Sequence, residues 1–173
     1  MQEIEKIREC TETDFNTLFQ IISDAAQAYK GVIPDDCWHE PYMPFEEVRR
    51  EIEDGVVFWG LERDRRLLGI MGLQDKREVT LIRHAYVWTE AQQMGIGTML
   101  LRHLEGMTKA PILIGTWAAA SWAISFYEKN GYSLVSDEEK IHLLTKYWSI
   151  PKRQMETSVV MADLKWKKTH PVN

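Results

Sequence analysis

Thr80 to Trp88, TLIRHAYVW, has the content of a β-strand, and a few residues on it meets the loop QQMGIG, Gln92 to Gly97. From Ile96 the side chains Ile96, Met99, Leu100, His103, Leu104 and Met107 recur at helical spacing, with His103 the one polar member of the stripe. That spacing is one face of an α-helix. Strand, glycine turn and helix in this order point to an α/β chain. Gly95 and Gly97 let the turn bring its backbone close to a ligand with no Cβ in the way. The amides of a helix's first turn lack helical acceptors, and the helix dipole adds positive potential there. Such a mouth suits a phosphate. The same residues also describe a plain glycine turn ahead of a core helix.

Two common phosphate motifs do not fit. A dinucleotide turn, G-x-G-x-x-G, needs a third glycine where Leu100 stands, and no Gly-Lys-Ser/Thr of a nucleotide loop occurs. The formal charge of −5 and the lack of a basic stripe argue against nucleic acid as a primary partner. No apolar run approaches the ~20 residues of a membrane span, and the opening MQEIEKIREC is too charged for a leader. The expectation is a cytoplasmic protein with neither a membrane nor a nucleic-acid partner. Cys10 and Cys37 have no metal-ligand spacing, and His39 beside Cys37 makes only two ligands, so no metal is expected.

A second block lies downstream, ILIGTWAAASWAISFYEKNGY, Ile112 to Tyr132. The first block fits Q/R-x-x-G-x-G/A through Gln92, Gly95 and Gly97. The second fits N-x-x-A-x-x-F-Y-x-x-x-G-F/Y through Ala123, Phe126, Tyr127, Gly131 and Tyr132. Together, in this order, they resemble the signatures of the GCN5-related N-acetyltransferase (GNAT) superfamily. One position departs: the asparagine that helps hold the pantetheine arm is Ala120 here, with Ser121 as the candidate substitute.

The chain of 173 residues reads as one GNAT-like domain over 1–166, followed by a frayed tail at 167–173. The expected elements are a strand at 4–8, a helix from the Thr11–Asp14 cap to Tyr29, and a loop at 31–44. A short helix at 45–53, a hairpin of 56–61 with 66–73, and the strand 79–88 follow. After the glycine loop and its helix come a strand at 111–117, a helix at 121–130 and a strand at 132–135. A helix capped at Ser136 runs to about Trp148, Pro151 ends that region, and 156–164 closes as a strand. The fold class is α/β. The resemblance implies a mixed, mostly antiparallel sheet with splayed central strands, flanked by helices.

The resemblance also implies the chemistry, acyl transfer from acetyl-CoA as co-substrate to an amine by direct attack. The backbone amides of about Gln93, Met94, Gly95, Ile96, Gly97 and Thr98 would hold the pyrophosphate, with the Gln92 or Gln93 side chain adding hydrogen bonds. A backbone amide near Val87, on a bulged strand, would polarise the thioester carbonyl. Ser121 and Phe126 line the cofactor side. Tyr127 stands at the family's proton-donor position, although an aromatic stripe in a core would look the same. Some relatives carry a glutamate base on the strand before the loop, but the matching position is Leu81, which cannot serve. His84 on that strand and Glu40 on the loop 31–44 are the remaining base candidates.

Tyr29 to Pro34, YKGVIP, resembles a loop that covers the acceptor pocket in family members. Trp38, Glu40 and Tyr42 extend it as a candidate aromatic and acidic wall. Residues 34–54 hold eight acids and two arginines, which would favour a cationic amine or else form a solvated acidic surface. The reading is an N-acetyltransferase of a small amine, amino acid or peptide. The alternative is a catalytically weak acyl-CoA-binding module that senses or regulates. Analogy allows a homodimer.

Overall fold

The computed structural model describes residues 2–172. The first residue of the expected domain and the last of the expected tail, Met1 and Asn173, lie outside the described residues. Among the described residues the fold is mixed α/β, with seven mostly antiparallel strands in the order β1 (Glu5–Glu9), β2 (Val57–Arg63), β3 (Arg66–Asp75), β4 (Thr80–Val87), β5 (Ile112–Trp117), β7 (Ser158–Ala162) and β6 (Ser133–Leu134). The chain divides into two compact units. One holds residues 1–28, 39–75 and 82–109, and the other holds 29–38, 76–81 and 110–173.

The first unit contains β1 (Glu5–Glu9), α1 (Phe15–Ala25), α2 (Phe45–Glu53), β2 (Val57–Arg63), β3 (Arg66–Asp75), most of β4 (Thr80–Val87) and α3 (Ile96–Glu105). Asp64 and Arg65 turn the β2–β3 hairpin with φ of 50° and 67°, the left-handed pair that matches strand twist. Helices α1 and α3 pack on β3, burying Leu18, Ile21, Ile22, Leu100, Leu101 and Leu104. The apolar stripe of α3 differs from the one expected. Leu101 belongs to the buried face, whereas His103 and Met107 are exposed and the His103 ring lies 5.2 Å from that of Trp59. Three consecutive apolar residues, Met99 to Leu101, with Leu104 beyond, fit two overlapping stripes, and packing on β3 chooses between them.

The second unit contains β5 (Ile112–Trp117), α4 (Ser121–Lys129), β6 (Ser133–Leu134), α5 (Asp137–Tyr147), α6 (Lys152–Glu156), β7 (Ser158–Ala162) and α7 (Leu164–Thr169). β7 lies antiparallel between β5 and β6, with Leu113 and Ser133 both opposite Ala162. Leu113, Leu143, Leu144, Val160 and Trp166 form its core. Gly115 on β5 leaves room for the Trp148 ring, which an added Cβ would meet at 3.3 Å. Ser136 caps α5 by accepting the Glu139 amide at 3.2 Å.

Three differences from the sequence-based expectation fall in this unit. Pro151 opens α6 rather than closing the region, because its fixed φ fits a helix start, and a five-residue helix shows no periodicity. The last strand is 158–162 rather than 156–164. The tail expected to fray at 167 continues α7 through Thr169. Asp163 caps that helix by accepting the Trp166 amide at 3.0 Å, and Lys167 donates to the Leu134 carbonyl at 2.9 Å.

Candidate active site

In the first unit the glycine loop is built as an exposed backbone turn. Gln93 and Gly95 both adopt left-handed backbone, with φ of 66° and 79°. At Gly95 an added Cβ would meet nothing within 4 Å, so glycine is required there by conformation rather than by space. The first bond of α3 runs from the Met99 amide to the Gly95 carbonyl at 3.0 Å. The amides of Ile96, Gly97 and Thr98 therefore have no acceptor within the helix. Gln92 through Gly95 and Thr98 are exposed, and no acidic residue interrupts 92–98 to repel an anion.

The loop is braced from behind. The Trp88 amide and indole donate to the Leu68 and Leu67 carbonyls, each at 3.0 Å, and the Thr89 amide donates to Asp24 at 2.7 Å. The Gln92 side chain donates to the Val87 carbonyl at 3.3 Å. Gln92 is thus engaged in fixing the turn to the strand end, which leaves Gln93 as the glutamine side chain for a ligand. On β3, Gly69 admits the Ile96 and Val87 side chains, which an added Cβ would meet at 2.8 and 3.0 Å.

The irregular backbone of β4 lies three residues before Val87, at His84, whose φ of 55° breaks the extended run. The strand comes close to β3 here. A Cβ on Gly72 would sit 2.8 Å from the Arg83 carbonyl oxygen. His84 Nε2 lies 3.2 Å from Glu51 Oε2, and Arg83 Nη1 reaches the same oxygen at 2.8 Å. Arg83 also donates to Gln74 at 3.3 Å, and Gln74 donates to the Asp54 carbonyl at 2.9 Å. Burial pushes the His84 imidazole below its ordinary pKa, with Arg83 pushing the same way and Glu51 opposing. Burial resists the ionisation of Glu51, but His84, Arg83 and Arg50 outweigh it and hold that carboxyl below its ordinary value. Neighbouring Glu47 is pushed up, by burial and then by Glu51. Arg83 carries the permanent charge here, so Glu51 is the anion and His84 the neutral partner donating Nε2–H to it. Glu51 escaped the sequence reading because it lies one helix and two strands before His84.

In the second unit, Tyr127 sits on the buried side of α4. Phe126 and Tyr132 meet its ring edge-on, at 5.0 and 6.0 Å. Burial raises the Tyr127 phenol above its usual range, and Tyr29 adds to this. Tyr29 stacks on Trp122 of α4 at 5.9 Å, and Arg153 of α6 binds Asp36 at 2.8 and 3.3 Å. The YKGVIP loop is thereby held to the helix that carries Tyr127. Ala120, at the head of α4, is fully buried and caps nothing, while Ser121 is exposed.

The expected acceptor wall divides between the units. Trp38 belongs to the second, whereas Glu40 and Tyr42 belong to the first. Glu40 is exposed, and Trp38 and Tyr42 are half-buried. Leu81 is fully buried, which removes it from any proton chemistry. Among the described residues no three His, Cys, Asp or Glu side chains gather as a metal site, and no helix is long and apolar enough to cross a membrane.

A family model described as an acetyltransferase (GNAT) domain matches residues 20–143. Comparison with curated proteins gives no match. Among solved structures the chain is similar to the PaiA N-acetyltransferase of Thermoplasma acidophilum in complex with coenzyme A. Identity is 21%, coverage is 92% of this chain and 98% of that one, and the TM-score is 0.68. A GNAT-family acetyltransferase of Staphylococcus aureus shares 16% identity with the same coverage and a TM-score of 0.69. The ribosomal-protein-S18-alanine N-acetyltransferase of Escherichia coli shares 16% identity, over 92% of this chain and 93% of that one, with a TM-score of 0.65.

Proposed function

This chain belongs to the GNAT acetyltransferase family, and we propose that it moves an acetyl group from acetyl-CoA to a primary amine of a small molecule, amino acid or peptide. The observation that carries the reading is the turn at 92–98, where left-handed Gly95 leaves the amides of Ile96, Gly97 and Thr98 without helical acceptors. A pyrophosphate fits such donors, since they are neutral, preorganised and exposed. The Thermoplasma protein, solved with coenzyme A, supports the same cofactor for this chain. Acetyl-CoA supplies the acetyl group and a thiolate leaving group.

The chain's own residues then have four tasks. The amides of residues 93–98 and the Gln93 side chain hold the pyrophosphate, while Ser121 and Phe126 lie along the arm. The Val87 backbone amide donates to the thioester oxygen, a contact that contributes about 3 kcal/mol when well placed. Tyr127 donates its hydroxyl proton toward the departing sulfur. Its raised pKa keeps it protonated across the working pH range, and the departing thiolate, whose thiol ionises near about 8.5 in water, accepts that hydrogen bond and the proton. His84 takes the amine's proton, and its neutral imidazole favours it over exposed Glu40. Glu40, Trp38 and Tyr42 then serve the acceptor, with the acidic stretch 34–54 selecting cations.

One observation favours a second reading, a weakly catalytic acyl-CoA-binding regulator. Buried Ala120 offers no side-chain hydrogen bond where family members carry asparagine. Thiol release from acetyl-CoA against polyamines, amino acids, aminoglycosides and short peptides separates the two. Release that depends on one amine class supports the enzyme. Tight calorimetric binding with no release across the panel supports the regulator, and no binding removes both.

A further inference from the structure

The proposed roles leave unexplained the partly buried polar cluster of the first unit that surrounds His84 of β4: Glu51 on α2, Arg83 on β4 and Gln74 on β3. We propose that Glu51 is a positioning residue that fixes His84 in one tautomer and orientation, making the pair a Glu–His dyad for deprotonating the acceptor amine. This rests on the acetyltransferase reading above.

Geometry carries the proposal. His84 is placed by a left-handed residue inside a strand, a conformation that costs a non-glycine residue energy. Strained backbone of this kind persists where the surroundings hold it in place. Here Gly72 lets the strand approach, and Glu51 binds the ring. One carboxylate oxygen serves both Arg83 and His84. Arg83 keeps Glu51 ionised, and Gln74, itself tied to the Asp54 carbonyl, holds Arg83 from the other side. An ionised carboxylate accepts only, so the neutral imidazole carries its proton on Nε2, and Nδ1 presents the lone pair.

In the step assigned to the dyad, an ammonium N–H bond breaks and its electron pair stays on nitrogen. His84 Nδ1 receives the proton and later returns it to solvent. The resulting imidazolium is stabilised by Glu51 at one side and opposed by Arg83 beside it. The charged groups acting on His84 are thus Glu51 from α2 and Arg83 from β4; Glu47 of α2 acts on Glu51 and Gln74 of β3 on Arg83, and Phe58 from β2 gives an apolar face, its ring 6.0 Å away.

The experiment pairs proton NMR titration of the histidine C2–H signals with the pH profile of acetyl transfer, in the wild-type protein and in Glu51→Gln and His84→Asn. Asparagine suits position 84 because it tolerates left-handed backbone, and its spectrum assigns the His84 signal. Glu51→Gln is expected to lower the His84 pKa, since the carboxylate that favours the imidazolium is gone. The acid limb of kcat/KM should move to lower pH by the same amount, with the plateau falling at least tenfold and acetyl-CoA affinity unchanged. If Glu51→Gln does not fold, Glu51→Asp replaces it, with a smaller shift in the same direction. An unmoved His84 titration overturns the dyad. A moved titration with an unmoved acid limb, or full activity in His84→Asn, overturns its catalytic use. No turnover by wild-type protein on any amine would overturn the acetyltransferase reading and the dyad's catalytic use with it, while a shifted titration would still show the pairing.

Discussion

The role proposed for residues 92–98 rests on backbone, and the role proposed for Tyr127 rests on one hydroxyl. The turn is exposed at Gln92 through Gly95 and at Thr98, and Gly95 holds a left-handed φ of 79° with open space around it. The helix position is buried, packed edge-on by Phe126 and Tyr132, and depends on a single oxygen. Pyrophosphate binding and proton donation to the sulfur are thereby proposed for different residues, which makes them separable by substitution. Tyr127→Phe keeps the ring packing and removes only the donor. It should lower kcat about 100-fold, the low end of general acid catalysis, while calorimetric acetyl-CoA affinity stays within about threefold, since the lost contact is made to the departing sulfur in the transition state and not to the bound cofactor. Wild-type turnover in that variant would remove Tyr127 from the chemistry. A parallel loss of affinity would mean that the two regions do not divide the work.

The next largest effect sharpens the contrast within the first unit. Gly72→Ala would place a Cβ 2.8 Å from the Arg83 carbonyl and 2.7 Å from a Val56 methyl. Overpacking against backbone costs about 1–3 kcal/mol, so chemical denaturation should show a loss in that range. Because β4 must shift, His84 should separate from Glu51, and turnover should fall more than acetyl-CoA binding does. Wild-type stability would mean that β3 and β4 yield easily and that the close approach is incidental.

The same contrast explains what could be read from sequence. Gly95 with Gly97, and Phe126 with Tyr127, form two local patterns of short spacing, so each can be picked out from sequence. The strands and helices that carry them repeat apolar residues over enough turns to be recognised, and the α/β class followed. Helices α6 and α7 are a turn or two long, too short for periodicity, and were missed. Glu51 and His84 are joined only by the fold. Nothing in the spelling of α2 distinguishes Glu51 from Glu46 or Glu53. His84's left-handed backbone is equally silent, since it arises from how β4 is held rather than from its own residue type. The stripe of α3 passes through His103 in the sequence reading because periodicity counts positions and does not show which face packs on β3.

Gly95→Val tests the backbone side of the comparison at smaller cost. With nothing within 4 Å of the added Cβ, the penalty is conformational alone. A left-handed L-residue costs about 1–2 kcal/mol, and more when β-branched. Acetyl-CoA affinity should weaken about tenfold or more as the turn relaxes, whereas Gly95→Asn, which tolerates left-handed φ, should lose much less. Equal affinity in all three proteins would remove the pyrophosphate from this turn.

The smallest effect is on stability, and its sign follows from the buried cluster. His84 has a folded-state pKa below its unfolded value of about 6.5. The unfolded chain therefore binds that proton first as pH falls, and the neutral ring's contribution is full above pH 6.5 and lost progressively below it. Glu51, also lowered, acts in the same direction but in the carboxylate range near pH 4, and Glu47, raised, acts oppositely there. The windows separate. Thermal unfolding followed from pH 7.5 to 5.5 should show a falling midpoint, and His84→Asn should flatten that fall while leaving the steeper losses near pH 4 in place. An identical slope in the variant between pH 7.5 and 5.5 would mean that His84 is as easily protonated in the folded protein as in the unfolded chain. The strand would then be holding a solvated histidine, and the contrast between a side-chain base and a backbone loop would disappear from the first unit.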